Sequence, residues 1–364
     1  MRGKIEMLQD GETGNPYRTL GKELDRAAMQ AAQETWDAVA KPLYGLGKLE
    51  DILVKIAGIQ GTADVRLSKR AVLVFCADNG VTAQGVTQTD SHVTAVVADN
   101  IAEGRASVSR MCAKCGTDVF AVDIGIRDTT HSGRLLQRKI AKGTKDFSME
   151  PAMSMEEAVR AVDTGIALVK ECQEKGYTLL ATGEMGIGNT TTSSAVTAAL
   201  LGLSAKETVG RGAGLSKDGL CRKQEIVAGA IKRYGLYEKP ALEVLASVGG
   251  FDIAGMAGAF IGGAVCGVPV VIDGMISAAA ALVAARLCPQ AVNCMLASHI
   301  SREPSMKAVM KELGLSPVID GGLALGEGTG AALLFPMLDM AESVYRSNET
   351  FSKIRIESYR KYEE

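Results

Sequence analysis

Short runs of apolar and β-branched residues alternate along this chain with longer stretches whose apolar residues recur every three or four positions. The first pattern predicts buried strands and the second amphipathic helices. Strands are expected at residues 71–77, 118–124, 177–181, 268–273 and 291–298. Helices are expected at 20–40, 48–58, 91–103 and on to about 114, 189 to about 200, 215–234, most of 240–266, 277–287 and 303–313. A long helix before residue 177 is expected to start at a Ser154 cap, with Glu156 and Glu157 favoured in its first turn by the helix dipole. A last helix opens at Gly326-Glu-Gly-Thr-Gly330 and is interrupted at Pro336. The charged amphipathic tail, 345–364, reads as a packed surface helix. Residues 60–70 and 125–150 are polar and irregular.

Strands alternating with helices predict a mainly parallel, Rossmann-like sheet covered on both faces. Ligands of such sheets bind beyond the C-terminal strand ends. Asp78, Glu184, Asp273 and the segment from Ser298 to Ser301 fall at those ends.

The stretch from Tyr177 to Ser194 stands out. A predicted strand runs into three glycines, Gly183, Gly186 and Gly188, and then into Asn189, Thr190, Thr191 and Thr192 at the head of a helix. A strand, a Gly-rich turn and a capped helix together aim backbone N–H groups at an anion. The dinucleotide fingerprint and the P-loop lysine are both absent. Glu184 would repel a phosphate in such a cradle, so it faces a sugar or a developing cation. On shape alone, a plain tight turn is the competing reading.

With 47% apolar residues in 364, the chain can bury a large core, and only 4% are aromatic. Forty basic residues against 42 acidic ones leave no cationic field for nucleic acid or an acidic membrane. Residues 253–272 carry no charge over roughly a bilayer-spanning length. Gly267 and Pro269 divide this segment into a small-residue helix and a buried strand, and that reading is preferred to a membrane span. The polar start, Met1-Arg-Gly-Lys-Ile-Glu6, has no signal-peptide core, and a cytoplasmic protein is expected. Cys112 and Cys115 form a lone C-x-x-C and read as free thiols, while His92, His131 and His299 show no metal-ligand spacing.

Several motifs together resemble one family. They are Lys41-Pro-Leu-Tyr-Gly-Leu-Gly-Lys-Leu-Glu50, Ala77-Asp-Asn-Gly-Val81, Gly183-Glu-Met-Gly-Ile-Gly-Asn-Thr-Thr191, Gly210-Arg-Gly-Ala-Gly214, Gly249-Gly-Phe-Asp-Ile-Ala-Gly-Met256, Asp273-Gly274, Ser298-His-Ile-Ser301 and Leu325-Gly-Glu-Gly-Thr-Gly-Ala-Ala332. Their order and spacing resemble the nicotinate-nucleotide–dimethylbenzimidazole phosphoribosyltransferases of cobamide (vitamin B12) assembly. The resemblance implies an α/β/α catalytic domain over 60–325 and a small helical domain built from 1–59 and 326–364. It implies a dimer, of like chains or with a related subunit, and neither a metal nor an organic cofactor. The implied substrates are nicotinate mononucleotide and an aromatic base. The phosphoribosyl group moves with inversion, so the product is the α-riboside phosphate.

By the same resemblance Glu327 is the base that takes the acceptor's proton. Glu184 orients the ribose or stabilises the oxocarbenium-like transition state. Phosphate falls to Gly186, Gly188, Asn189 and Thr190, with the Gly212 turn and Lys223. Ser301 holds the nicotinate carboxylate or the phosphate, and Asp252 and Asp273 bind ribose hydroxyls.

The acceptor half departs from the family. Asp78-Asn79-Gly80 replaces Asp-His-Gly, and Asp90-Ser91-His92-Val93-Thr94 replaces Pro-Gln-Glu-Val-Thr, whose Gln binds benzimidazole. Met185 stands where Leu is common. Asp78, Ser91 and Met185 are therefore the acceptor candidates, with either dimethylbenzimidazole or a phenolic compound as the base. Two other functions stay open: a weakly active subunit supporting a related partner, and a nucleotide-linked oxidoreductase.

Overall fold

A computed structural model describes residues 15–347 and 349–360. The polar start, Met1 to Glu6, and the last residues of the tail lie outside them. The first half contains helices α1 (Arg26–Ala38) and α2 (Lys48–Gln60), strand β1 (Arg70–Ala77), helices α3 (His92–Ala102) and α4 (Ser107–Lys114), strands β2 (Asp118–Gly125) and β3 (Leu136–Gln137), helix α5 (Met155–Glu174) and strand β4 (Leu179–Met185). There follow helices α6 (Asn189–Leu201), α7 (Ala205–Thr208), α8 (Lys217–Tyr234), α9 (Ala241–Val248) and α10 (Phe251–Cys266), strand β5 (Val270–Ile272) and helix α11 (Met275–Leu287). The chain ends with strands β6 (Met295–Ala297) and β7 (His299–Ser301), helix α12 (Met306–Glu312), strand β8 (Ile319–Leu323) and helices α13 (Thr329–Tyr345) and α14 (Phe351–Ile354).

Six strands form one parallel sheet in the order β3-β2-β1-β4-β5-β6. Strand β1 is buried throughout, which is why its sequence shows no polar alternation. Successive side chains nevertheless serve different cores. Leu73, Phe75, Val122, Ile124 and Leu180 pack with α5, α6, α9, α10 and α11. Val72, Val74, Ala121, Leu179 and Ala181 pack with α1, α2, α3, α4 and α13. The result is the expected three-layer α/β/α arrangement, and it places the C-terminal ends of β1, β4 and β5 side by side.

The uncharged 253–272 segment is explained by packing. A Cβ on Gly258 would lie 1.9 Å from the Val162 carbonyl oxygen, and one on Gly165 would lie 2.0 Å from that of Gly255. Helices α5 and α10 therefore touch backbone to backbone, which only small residues permit. Among the described residues no helix is long and apolar enough to cross a membrane.

Some expected boundaries differ. The first helix starts at Arg26 rather than residue 20, because the Asp25 carboxylate caps it by accepting from the Ala28 N–H. Residues 289–294 form a 3₁₀ turn, leaving only Met295–Ala297 as strand. The irregular 125–150 region contributes the short edge strand β3. Helix α13 runs through Pro336 without interruption. Among the described residues after α13, only Phe351–Ile354 is helical, and Arg355, at φ 60°, ends that helix. A separate parallel pair, β7 with β8, was not expected, because Ile319–Leu323 contains two glycines and little apolar signal.

Candidate active site

The C-terminal ends of β4 and β5 open into a cleft of about 300 Å³. Glu184, Met185, Gly186, Asn189, Thr190, Gly212, Asp273, Ser301 and Glu327 all line it. Beyond β4 the chain must turn sharply into α6. Gly188 makes this turn at φ 93° as the N-cap, and a Cβ on Gly186 would stand 2.4 Å from the Ala77 carbonyl oxygen. The positive end of the α6 dipole therefore faces the cleft.

Two buried carboxylates, Glu184 and Asp273, line the cleft, and a third, Asp252, lies beneath it. The Asn189 side-chain amide donates to Glu184 and, at 3.2 Å, to Asp252. The Glu184 carboxylate also lies against the Glu327 turn, where a Cβ on Gly326 would stand 2.6 Å from Oε1. Burial, reinforced by Asp252, holds the Glu184 carboxyl well above the ordinary carboxylate range, while the Asn189 hydrogen bond acts the other way. Burial likewise pushes Asp252 and Asp273 up to about 6. A floor this acidic and dry favours a ligand that carries or develops positive charge.

Glu327 sits in a run of left-handed backbone, with φ of 87° at Gly326, 63° at Glu327 and 97° at Gly328. For a residue with a side chain this conformation costs on the order of 1–3 kcal/mol. The turn is pinned at several points. Asp273 Oδ2 accepts from Gly328 N–H at 3.1 Å, and Oδ1 accepts from Gly330 N–H at 2.7 Å and Ala331 N–H at 3.0 Å. Hydrogen bonds to a charged group contribute roughly 1.5–3 kcal/mol each, so three of them outweigh the strain. The Glu327 carboxylate accepts from Val108 N–H at 3.1 Å, in the first turn of α4.

Around the opposite wall, Thr190 Oγ accepts from Lys223 Nζ at 2.8 Å. Lys223 is fully buried and reaches the cleft only through Thr190; burial lowers its pKa to about 8, against the pull of Glu303. Gly212, at φ 51°, lies against Thr190, where a Cβ would be 2.9 Å from Oγ1. The Ser301 hydroxyl is buried and has no hydrogen-bond partner among the described residues, so it is ready for a ligand.

Other predicted residues fall outside the cleft. Asp252 lies under it and acts through Asn189. Gly188 faces a neighbouring depression shared with Arg211. Asp78 is fully buried and accepts from Arg127 N–H at 2.7 Å. Ser91 lies in a further, shallow depression with Thr87, Asp90 and Arg127. Two further polar residues line the cleft, His299 from the marked Ser298–Ser301 segment and Glu303, which was not singled out. His299 is buried beside Ser298, 3.0 Å from its hydroxyl, and burial lowers its pKa. Glu303 closes the cleft near Gly210. Both flank Ser301 in the sequence, and that proximity was the available signal. The eight cysteines are free thiols, and among the described residues no cluster of His, Cys, Asp or Glu suits a metal ion.

Comparison with known proteins agrees with this geometry. A family model described as phosphoribosyltransferase matches residues 22–356. The nicotinate-nucleotide–dimethylbenzimidazole phosphoribosyltransferase of Acetivibrio thermocellus is 45% identical over 337 residues, covering 93% of this chain and 96% of the relative. That of Chloroflexus aggregans is 44% identical over 331 residues, covering 91% and 94%. The crystal structure of the enzyme of the same name from Thermus thermophilus superposes with a TM-score of 0.86 at 36% identity, covering 92% of this chain and all of that one. The chain belongs to the nicotinate-nucleotide–dimethylbenzimidazole phosphoribosyltransferase family.

Proposed function

We propose that this cleft moves the 5-phosphoribosyl group of nicotinate mononucleotide to dimethylbenzimidazole, giving the α-riboside phosphate used in cobamide assembly. The acidic floor carries the reading. Nicotinate is joined to ribose through a cationic ring nitrogen, and when the C1′–N bond breaks the electron pair leaves with nicotinate. Positive charge then passes to the ribose, where the buried Glu184 stabilises it. The unprotonated ring nitrogen of the acceptor attacks C1′ from the opposite face, and the proton on the other ring nitrogen goes to Glu327. The α6 N-terminus, Thr190 and the buried Lys223 behind it supply positive potential for the donor phosphate.

A phenolic acceptor was suggested by the altered segment at Ser91. Dimethylbenzimidazole is preferred because the relatives that match over nine-tenths of the chain are named for it. The same reading includes a dimer, a cytoplasmic location, and a small domain made by the two chain ends around 60–325. For the domain, the support is the antiparallel bridge between Val39 and Thr350 and the shared packing of α1, α2 and α13.

Incubating the purified chain with nicotinate mononucleotide and equal amounts of dimethylbenzimidazole and p-cresol tests the assignment, with products separated by chromatography. The dimethylbenzimidazole riboside phosphate should dominate. A p-cresol product in excess overturns the acceptor, and no product from the chain alone favours the supporting-subunit alternative.

A further inference from the structure

We propose that Asp273 is a positioning residue for the base, holding Glu327 in its catalytic pose and leaving the ribose to other groups. This rests on the reading of Glu327 as the base. Three N–H groups from the Glu327 turn and the start of α13 occupy both oxygens of Asp273. The side chain is 2% exposed, so it sits within the wall of the cleft and has little surface to offer a hydroxyl.

An aspartate suits this position for a specific reason. Three converging donors need a group that only accepts, and an ionised carboxylate is one. An amide of the same shape would turn an NH₂ toward one set of N–H donors. The negative charge also matches the N-terminal end of α13.

The turn is confined on both sides of the base. A Cβ on Gly326 would stand 2.6 Å from Glu184 Oε1, and the residue after Glu327 gives its N–H to Asp273. The left-handed run Gly326-Glu327-Gly328 thus lies between two carboxylates from adjacent strand ends. Its surroundings leave little room. A Cβ on Gly328 would meet Val72 Cγ1 at 2.6 Å, and one on Gly330 would meet His299 Nδ1 at 2.0 Å. While the anchor holds, the base has one place to be. Without it, the strain at Glu327 favours another backbone pose and moves the carboxylate away from the acceptor.

The test uses Asp273→Asn, Glu327→Gln and the double variant, with donor affinity measured by calorimetry and turnover by nicotinate release. Asp273→Asn should lose about 100-fold in kcat, the scale of a 1 Å misplacement. Its affinity for nicotinate mononucleotide should stay within about twofold of the parent, and the double variant should be no slower than Glu327→Gln alone. Gly330→Ala, which drives His299 and Asp273 away from the turn, should show the same split and serves if Asp273→Asn does not fold. A fall in donor affinity with kcat preserved returns Asp273 to the ribose and overturns the proposal, as do losses that multiply in the double variant. Turnover lost in Glu327→Gln but kept in Asp273→Asn removes only the anchor. Turnover that survives Glu327→Gln removes the base itself, and the proposal with it.

Discussion

Adding one methyl group at Gly183 should disable the enzyme without touching a substrate. Gly183 lies on β4 beneath the Glu327 turn, paired with Val74 of β1. A Cβ there would stand 2.3 Å from the carbonyl oxygen of Glu327, 2.7 Å from its carbonyl carbon and 3.0 Å from the Gly328 nitrogen. Ordinary contact begins near 3.4 Å, so the gap has to open by about 1 Å. A central strand hydrogen-bonded on both sides does not yield readily, so the turn carrying Glu327 moves. A misplacement of about 1 Å costs roughly 100-fold in rate, or about 2.7 kcal/mol of barrier. Overpacking adds about 1–3 kcal/mol of lost stability. Gly165→Ala is the control: its Cβ would clash just as badly, 2.0 Å from the Gly255 carbonyl oxygen, but the residue does not line the cleft. Both variants should melt earlier, and only Gly183→Ala should lose kcat per folded molecule, measured by nicotinate release below the melting range. A folded Gly183→Ala enzyme with kcat within about threefold of the parent refutes the placement of Glu327 at the reacting centre.

Three further outcomes are expected. Glu327→Gln should lose roughly 10²–10⁴-fold in kcat while donor affinity in calorimetry is retained, since a general base faces the acceptor. Lys223 gives up its proton near pH 8 and not near its ordinary 10.5, so kcat/KM for the donor should fall as pH rises through about 8, and Lys223→Met should flatten that limb. Between those two values the unfolded chain holds the extra proton, so this lysine's contribution to stability increases with pH there. Gly188→Val places a β-branched residue at φ 93° and its Cβ 2.9 Å from Thr82 Cγ2, so donor affinity and melting temperature should both drop; an unchanged affinity confines the turn to a structural role.

The amino-acid sequence by itself determined the layered α/β/α fold, because that depends on local patterns: buried apolar runs at β1 and β4, helical periodicity between them, and the Ser154 capping box that starts α5. It also marked Glu184, Ser301 and Glu327, since glycines around a carboxylate and polar residues at strand ends are visible without coordinates. What the sequence left open was which groups those residues face. Asp252 and Asp273 look alike as acids at element ends. Tertiary structure placed one beneath Asn189 and the other on the amides of residues 328, 330 and 331. Lys223 has the pattern of an exposed helix lysine, and only the packing of α8 buries it against Thr190. Ser91 was marked by its place in a motif, and the structure puts it in a depression with Thr87, Asp90 and Arg127. The placements of Asp252, Asp273 and Lys223 depend on partners 33 or more residues away, as between Lys223 and Thr190, and local periodicity carries no information over that distance.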